Sequence, residues 1–151
     1  ALEKARRFLD KNDMLSFKEN YYFTDEGVCV INFAYLDGAT ICYTDLIKVG
    51  VAMDTGEIVF YEASGYLNNH KERAFETPTY TLEQAREIIS DTLTVSKTAL
   101  ALIPTAAGEK RCYEFVCNDK DQEVLVYINV TTLEEEDVLI LLKGDGGILV
   151  K

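Results

Sequence analysis

Residues 51–63 read VAMDTGEIVFYEA and residues 128–141 read INVTTLEEEDVLIL. Each couples two apolar, β-branched stretches through a short polar turn, the pattern of a hairpin. Val49, Val51, Met53, Thr55 and Glu57 fall on Val126, Ile128, Val130, Thr132 and Glu134, each 77 positions later. The chain therefore spells one unit twice. The copies differ at the turn itself, where Gly56 is answered by Leu133. Leucine lacks glycine's access to positive φ, so the second turn is expected to take a different geometry.

Working outward, ALEKARRFLD (1–10) matches TLEQAREIIS (81–90) at an offset of 80. Leu2, Ala5, Phe8 and Leu9 recur at helical spacing, as do Leu82, Ala85, Ile88 and Ile89, so each segment predicts an amphipathic helix with one apolar stripe. Thr81 and Gln84 form a capping box that fixes the start of the second. Between the helix and the hairpin of the first copy lie LSFKENYYF (15–23), GVCVINFAYL (27–36) and ATICYTDLIKVGVAM (39–53), followed by EIVFYEA (57–63). Turn residues TDEG, DG and DTG separate them, which predicts an antiparallel meander. Ile47, Val49, Val51 and Met53 alternate onto one buried face, with Lys48 on the other. The second copy repeats the order with TVSKTALALI, KRCYEFVC, EVLVYINV and EDVLILL. The polar stretch NHKERAFETPTY (69–80), carrying Pro78, reads as the joint, giving units at 1–78 and 79–151. The fold class is α+β: two tandem units, each one helix packed on an antiparallel meander of about four strands.

Composition excludes several classes of function. With 15 basic against 26 acidic side chains the formal charge is -11, which repels phosphate backbones and anionic headgroups, so neither nucleic acid nor a membrane surface is expected as a partner. No apolar run approaches the roughly 20 residues that span a bilayer. The fragment is thus read as not membrane-embedded, and its opening on a charged helix is read as an excised domain with any anchor upstream. Cys29, Cys42, Cys112 and Cys117 show no C-x-x-C spacing, which disfavours zinc. Cys29 and Cys42 sit in strands, and buried thiols are expected, with a Cys29–Cys42 bridge across a hairpin as the alternative.

A helix carrying E-x-A-R followed by a meander ending in a DTGEI hairpin resembles the PepSY domain. YTDLIKVGVAMDTGEIVFYEASGYLNNH, ALALIPT, CYEF and VYINVTTLEEEDVLIL together are similar to the C-terminal PepSY pair of the YpeB-type spore germination family. That resemblance implies no catalysis and no cofactor. It implies a protein at the outer side of the inner spore membrane, held by an upstream segment. Its implied partner is a cortex-lytic peptidoglycan hydrolase, which it stabilises, places and restrains. PepSY modules more broadly imply an inhibitor or chaperone of a secreted peptidase. Leu133 departs from the family's glycine.

Candidate chemistry is sparse. His70 is the only histidine, and no His or Cys lies at ligand spacing from it. A nucleophilic role would need Cys42 or Cys112 to approach it. The plain reading is a loop histidine with local hydrogen bonds. Because GYLNNH belongs to the family-like stretches, a partner-binding role for Asn68, Asn69 and His70 is the second reading. LEEED (133–137) lacks EF-hand spacing, and neighbours on a strand point to opposite faces, so it reads as a solvated hairpin end. Glu134, Glu136 and Asp54 as a glycosidase pair would have to face one another across a cleft. KGDGG (143–147) is a turn before a last strand, ILVK, and not a phosphate loop. Tyr21, Tyr22, Tyr61 and Tyr127 read as sheet aromatics. The sequence offers no catalytic, cofactor-binding or metal-ligating set. It predicts a partner-binding module acting through sheet edges and concave faces, against the alternatives of a small-ligand binder with an apolar pocket or an enzyme dependent on His70.

Overall fold

A computed structural model describes the backbone of residues 1–150 and the side chains of residues 1–148; Lys151, assigned above to the last strand, lies outside the described residues. Helix α1 (Leu2–Lys11) buries Ala5 and Leu9 and is followed by strands β1 (Phe17–Asp25), β2 (Val28–Asp37), β3 (Thr40–Ala52) and β4 (Ile58–Glu62). A short helix α2 (Ser64–Asn69) follows, which the sequence pattern did not announce. The second copy begins with α3 (Leu82–Arg86) and continues through β5 (Thr94–Thr105), β6 (Gly108–Asp119), β7 (Gln122–Asn129), β8 (Glu135–Gly144) and β9 (Gly147–Val150). Its meander thus has five strands, the last being the short strand expected after KGDGG.

The two copies bury equivalent faces. Ala5 and Leu9 pack with Phe17, Ile31, Phe33, Ile47, Val49 and Val51, while Ala85 and Ile89 pack with Phe115, Val124, Val126 and Ile128. Strand alternation produces this, since paired residues of neighbouring strands share a face. Two expectations need correction. Met53 is exposed, because β3 ends at Ala52 and Met53 already belongs to the turn. The second helix stops at Arg86 and not at Ser90: Ile88 and Ile89 donate to carbonyls three residues back, the tighter turn in which α-helices often end, and this sends Ile89 inward and leaves Ile88 exposed.

The expected difference between the hairpin turns is also overturned. Gly56 has φ +74° and Leu133 φ +62°. Gly56 N donates to Ala52 O at 2.8 Å and Leu133 N to Asn129 O at 3.0 Å; Thr55 and Thr132 each accept from the Glu two positions on. The geometry is kept and leucine bears the left-handed backbone, a strain of about 1–2 kcal/mol. Asn129 offsets it by accepting from the Thr131 and Thr132 amides, and Leu133 by packing on the second core.

All nine strands form one sheet in the order β2-β1-β9-β8-β7-β6-β5-β3-β4, with β2 also paired to β3. Eight strands therefore close a circuit and β4 branches from it. Two seams join the copies. Thr40–Cys42 of β3 run parallel to Leu100–Leu102 of β5, and Phe23 of β1 meets Gly147 of β9, with Thr24 N donating to Gly146 O at 2.6 Å. At Gly147, φ is +129° and a Cβ would lie 2.4 Å from Tyr22 O, so only glycine allows the strands this close. Rolling the sheet turns the second faces of both copies inward, where Ala101, Ile103, Cys112, Leu125 and Tyr127 cluster with Tyr43. The concave faces thus meet each other, leaving clefts of about 220 and 280 Å³ that open partly to solvent. That corrects the expectation that they serve a macromolecular partner.

Candidate functional site: the charged joint

The site begins with an irregularity in β3. Ala34 pairs with Leu46 but Tyr35 with Cys42, so Tyr43, Thr44 and Asp45 bulge out of register. A bulge re-aims side chains, and here it puts a carboxylate where an apolar residue would otherwise sit. Asp45 is fully buried. Its Oδ1 accepts from Thr44 Oγ1 at 2.6 Å and from Arg73 Nη2 at 2.9 Å; its Oδ2 accepts from Arg73 Nη1 at 2.9 Å and lies 2.9 Å from His70 Nδ1.

Arg73 comes from the irregular stretch between α2 and α3 and is only 5% exposed. Its fork reaches both copies at once. Beyond Asp45 it donates from Nη2 to Glu109 Oε1 of β6 at 2.8 Å, from Nε to Glu109 Oε2 at 3.2 Å, and to Asn69 O at 2.9 Å. Planar bidentate geometry makes these the strong kind of ionic hydrogen bond. Burial pushes the Asp45 carboxyl up, and the bonds from Arg73, Thr44 and His70 more than reverse this, holding it below the usual carboxylate range. Arg111 of β6 adds a second tie: Nη1 donates to Glu76 O at 2.9 Å, Nη2 to Thr40 Oγ1 at 3.2 Å, and the guanidinium lies 4.5 Å from the Phe75 ring centroid. The joint is a clamp.

Of the residues singled out by sequence, Asn69 donates to Thr44 O at 3.0 Å and Gly65 O at 2.9 Å, and His70 stacks on Tyr66 at 4.4 Å with Tyr35 edge-on at 4.5 Å. Both are engaged in building the joint. Asn68 is exposed beside them. The thiols stand apart from His70 chemistry: all four cysteines are free and buried, which removes the Cys29–Cys42 bridge. Burial, with the Asp45 charge, pushes Cys42 up to about 11, and burial pushes Cys112 to about 12. Such groups stay protonated thiols, whereas nucleophilic cysteines have lowered values. Among the described residues no group of three or more His, Cys, Asp or Glu is placed to hold a metal ion, and no helix is long and apolar enough to cross a membrane. Sequence reasoning passed over Asp45, Arg73, Glu109 and Arg111. Asp45 had a visible signal, a lone acid inside the apolar run ICYTDLIKV.

Two helix-and-meander units joined edge to edge and tied by a linker arginine define a tandem of the PepSY class. The chain belongs to the YpeB sporulation family, PepSY1 and PepSY2 domains, whose model matches residues 1–76. It is 40% identical over 143 residues to sporulation protein YpeB of Halalkalibacterium halodurans, covering 91% of this chain and 31% of that protein. It is 29% identical over 140 residues to sporulation protein YpeB of Bacillus subtilis, covering 89% and 31%. The solved Bacillus megaterium YpeB C-terminal domain superposes with a TM-score of 0.85 at 25% identity, covering 94% of this chain and 64% of that one. The chain thus spans about a third of the length of these sporulation proteins, and the α+β tandem read from the sequence is the fold that the family shares.

Proposed function

We propose that the chain is a non-catalytic, protein-binding regulatory module of spore germination. It holds, stabilises and restrains a cortex-lytic peptidoglycan hydrolase, at the outer side of the inner spore membrane, where an anchor outside this sequence would place it. Membership of the sporulation family supports the setting; one structural observation carries the binding. Val138, Ile140 and Leu142 of β8 are 42%, 38% and 43% exposed, at alternate positions. Val138 pairs with Val126 and Ile140 with Val124, so this stripe continues the sheet face that α3 covers. In the first copy a helix of 10 residues does the covering; α3 has 5 and leaves the stripe bare. A contiguous apolar patch on an otherwise acidic protein marks an interaction surface. The -11 charge selects a basic partner and sets its encounter rate. Asn68, exposed at the joint, lends the partner a polar contact, while Asn69 and His70 act by holding the joint in shape.

The experiment immobilises the chain and passes purified basic cortex hydrolase over it across a range of salt concentrations. Retention at low salt that weakens about tenfold in Val138→Asp is the expected outcome. No retention at any salt would end the proposal.

A further inference from the structure

We propose that the interior of the rolled sheet is a binding site for a primary alkylammonium group, with Glu114 as counter-ion and Tyr21, Tyr43 and Tyr127 as aromatic walls. This is a small-molecule site, independent of the hydrolase-binding surface.

Glu114 is a carboxylate only 6% exposed, on the inward face of β6. It accepts from Tyr127 Oη at 2.7 Å, and among the described residues it takes part in no ion pair. Burying a carboxylate costs several kcal/mol unless a cation and hydrogen bonds offset it. Here the hydrogen bond is present and, among the described residues, the cation is not. Burial, then the Glu114 charge and its hydrogen bonding, hold the Tyr43 phenol above its ordinary value, so this ring too stays neutral beside the acid.

The space adjoining it suits a cation on a short apolar stem. A cavity of about 280 Å³ is lined by Glu114, Tyr21, Tyr43 and Leu125; one of about 220 Å³ shares Tyr21, Tyr43 and Leu125 and adds Tyr127 and Leu139. Tyr43 and Tyr127 stand edge to face, 6.3 Å between centroids. Aromatic faces attract an ammonium ion, more strongly where water is excluded. The carboxylate repels anions, and the volumes are below those of ordinary cofactor pockets.

The same inward face carries a second polar group without a partner, although it does not itself line either cavity. Asn32 is fully buried, and both its Oδ1 and its Nδ2 lack a partner. Asn32 pairs with Lys48 and the neighbouring Ala34 with Leu46, a residue lining the smaller cavity, so Asn32 is on the inward face of β2. Across from it β1 bulges at Asn20 and Tyr21, which line both cavities. An unpaired buried amide is destabilising, so the interior beside the β1 bulge is polar as well as apolar. The rim of the larger cavity carries Lys18, Lys97, Glu19 and Glu123, of which Glu123 is paired with Lys143 and Glu19 with Arg6. Lys18 and Lys97 take part in no ion pair among the described residues, and removing either of these local cations should tighten binding.

The test titrates n-butylammonium chloride into the purified chain and follows backbone amide shifts by NMR, with n-butanol and butyrate as controls of equal size and Nα-acetyl-lysine N-methylamide as a peptide-borne source of the same group. The expected result is saturable shifts at β3, β6 and β7, butylammonium at least about tenfold tighter than butanol, and no binding of butyrate. Saturation by the lysine amide as well would assign peptide lysines as a source; its failure would restrict the site to free amines. Glu114→Gln should weaken butylammonium about tenfold, and Lys97→Gln should strengthen it. If Glu114→Gln does not fold, the half-exposed Tyr21→Leu decides, with a several-fold loss expected. Butylammonium binding no tighter than butanol, or binding unchanged in Glu114→Gln or Tyr21→Leu, would overturn the proposal.

Discussion

Arg73→Ala is the sharpest probe of the joint. The substitution strips the fully buried Asp45 of two charge-assisted hydrogen bonds and Glu109 of two more, and lets the two copies part where the linker crosses them. Breaking a buried pair by deleting one partner costs about 3–5 kcal/mol, because a charge is left in a medium that cannot solvate it. For a chain of this size that corresponds to a fall of about 6–20 °C in Tm. The pH dependence carries the diagnosis. In the parent chain the Asp45 carboxyl is held below its unfolded value, so its contribution is present above pH of about 4 and is lost as pH falls through the lower folded value. Without Arg73, burial is no longer overcome and the folded value rises above the unfolded one. Neutral pH then disfavours the fold, and the deficit shrinks as pH drops through the raised value. Urea denaturation followed by circular dichroism at neutral and mildly acidic pH measures both effects. The pair Asp45→Asn with Arg73→Met should recover much of the loss, since no charge is left buried. A penalty below about 1 kcal/mol, or one that does not move with pH, would refute the clamp.

Leu133→Gly should be more stable than Leu133→Ala by about 1 kcal/mol, an inversion of the usual order in strands, because glycine relieves the positive φ that alanine inherits; chemical denaturation of the two variants checks it. Gly147→Ala places a Cβ 2.4 Å from Tyr22 O, and it should open the β1–β9 seam at a cost of about 2 kcal/mol or more, seen as faster hydrogen exchange at the Thr24 amide. Cys42 and Cys112, raised to about 11 and 12, should react with iodoacetamide at pH 8 at least a hundredfold more slowly in the folded chain than in urea, as measured by mass spectrometry; equal rates would contradict their burial.

What was legible in the sequence was local. The capping box needs only Thr81 and Gln84, and both of its hydrogen bonds form, at 3.2 and 2.9 Å. The burial of Ile47, Val49 and Val51 follows from alternation alone, and it failed at Met53 because alternation does not say where a strand stops. The joint was illegible for a different reason. Arg73 in NHKERAFETPTY looks like a solvated linker charge, and nothing nearby marks the carboxylates it reaches at positions 45 and 109. The available signal lay at the other end, in acids that interrupt apolar strands: Asp45 in ICYTDLIKV and Glu114 in RCYEFVC. Both proved buried, one in each polar feature of the fold. Closure of the sheet was equally hidden, because β3–β5 and β1–β9 pairing depends on twist and register and not on any residue pattern.

Duplication makes the bare stripe on β8 interpretable. Equivalent strands in the two copies present equivalent apolar faces, but their cover differs. Tyr61, the counterpart of Val138, is 42% exposed yet meets Phe8 of α1 edge to face at 5.4 Å, whereas Ile88, the counterpart of Phe8, lies beyond the end of α3. That cover is the helix. Its shortening in the second copy follows from Ile88 and Ile89 donating to carbonyls three residues back, which ends the helix at Arg86, and not from any loss of apolar character in β8. If the stripe were core left poorly covered, Val138→Asp would destabilise the chain by the transfer energy of a half-buried valine, about 1 kcal/mol, and leave hydrolase retention unchanged in proportion to folded protein. A surface kept for a partner gives the opposite pair of results: stability within about 0.5 kcal/mol of the parent, and retention reduced about tenfold. Because the concave faces are closed against each other, this outward stripe is the extended apolar face that the second copy has left to offer a protein.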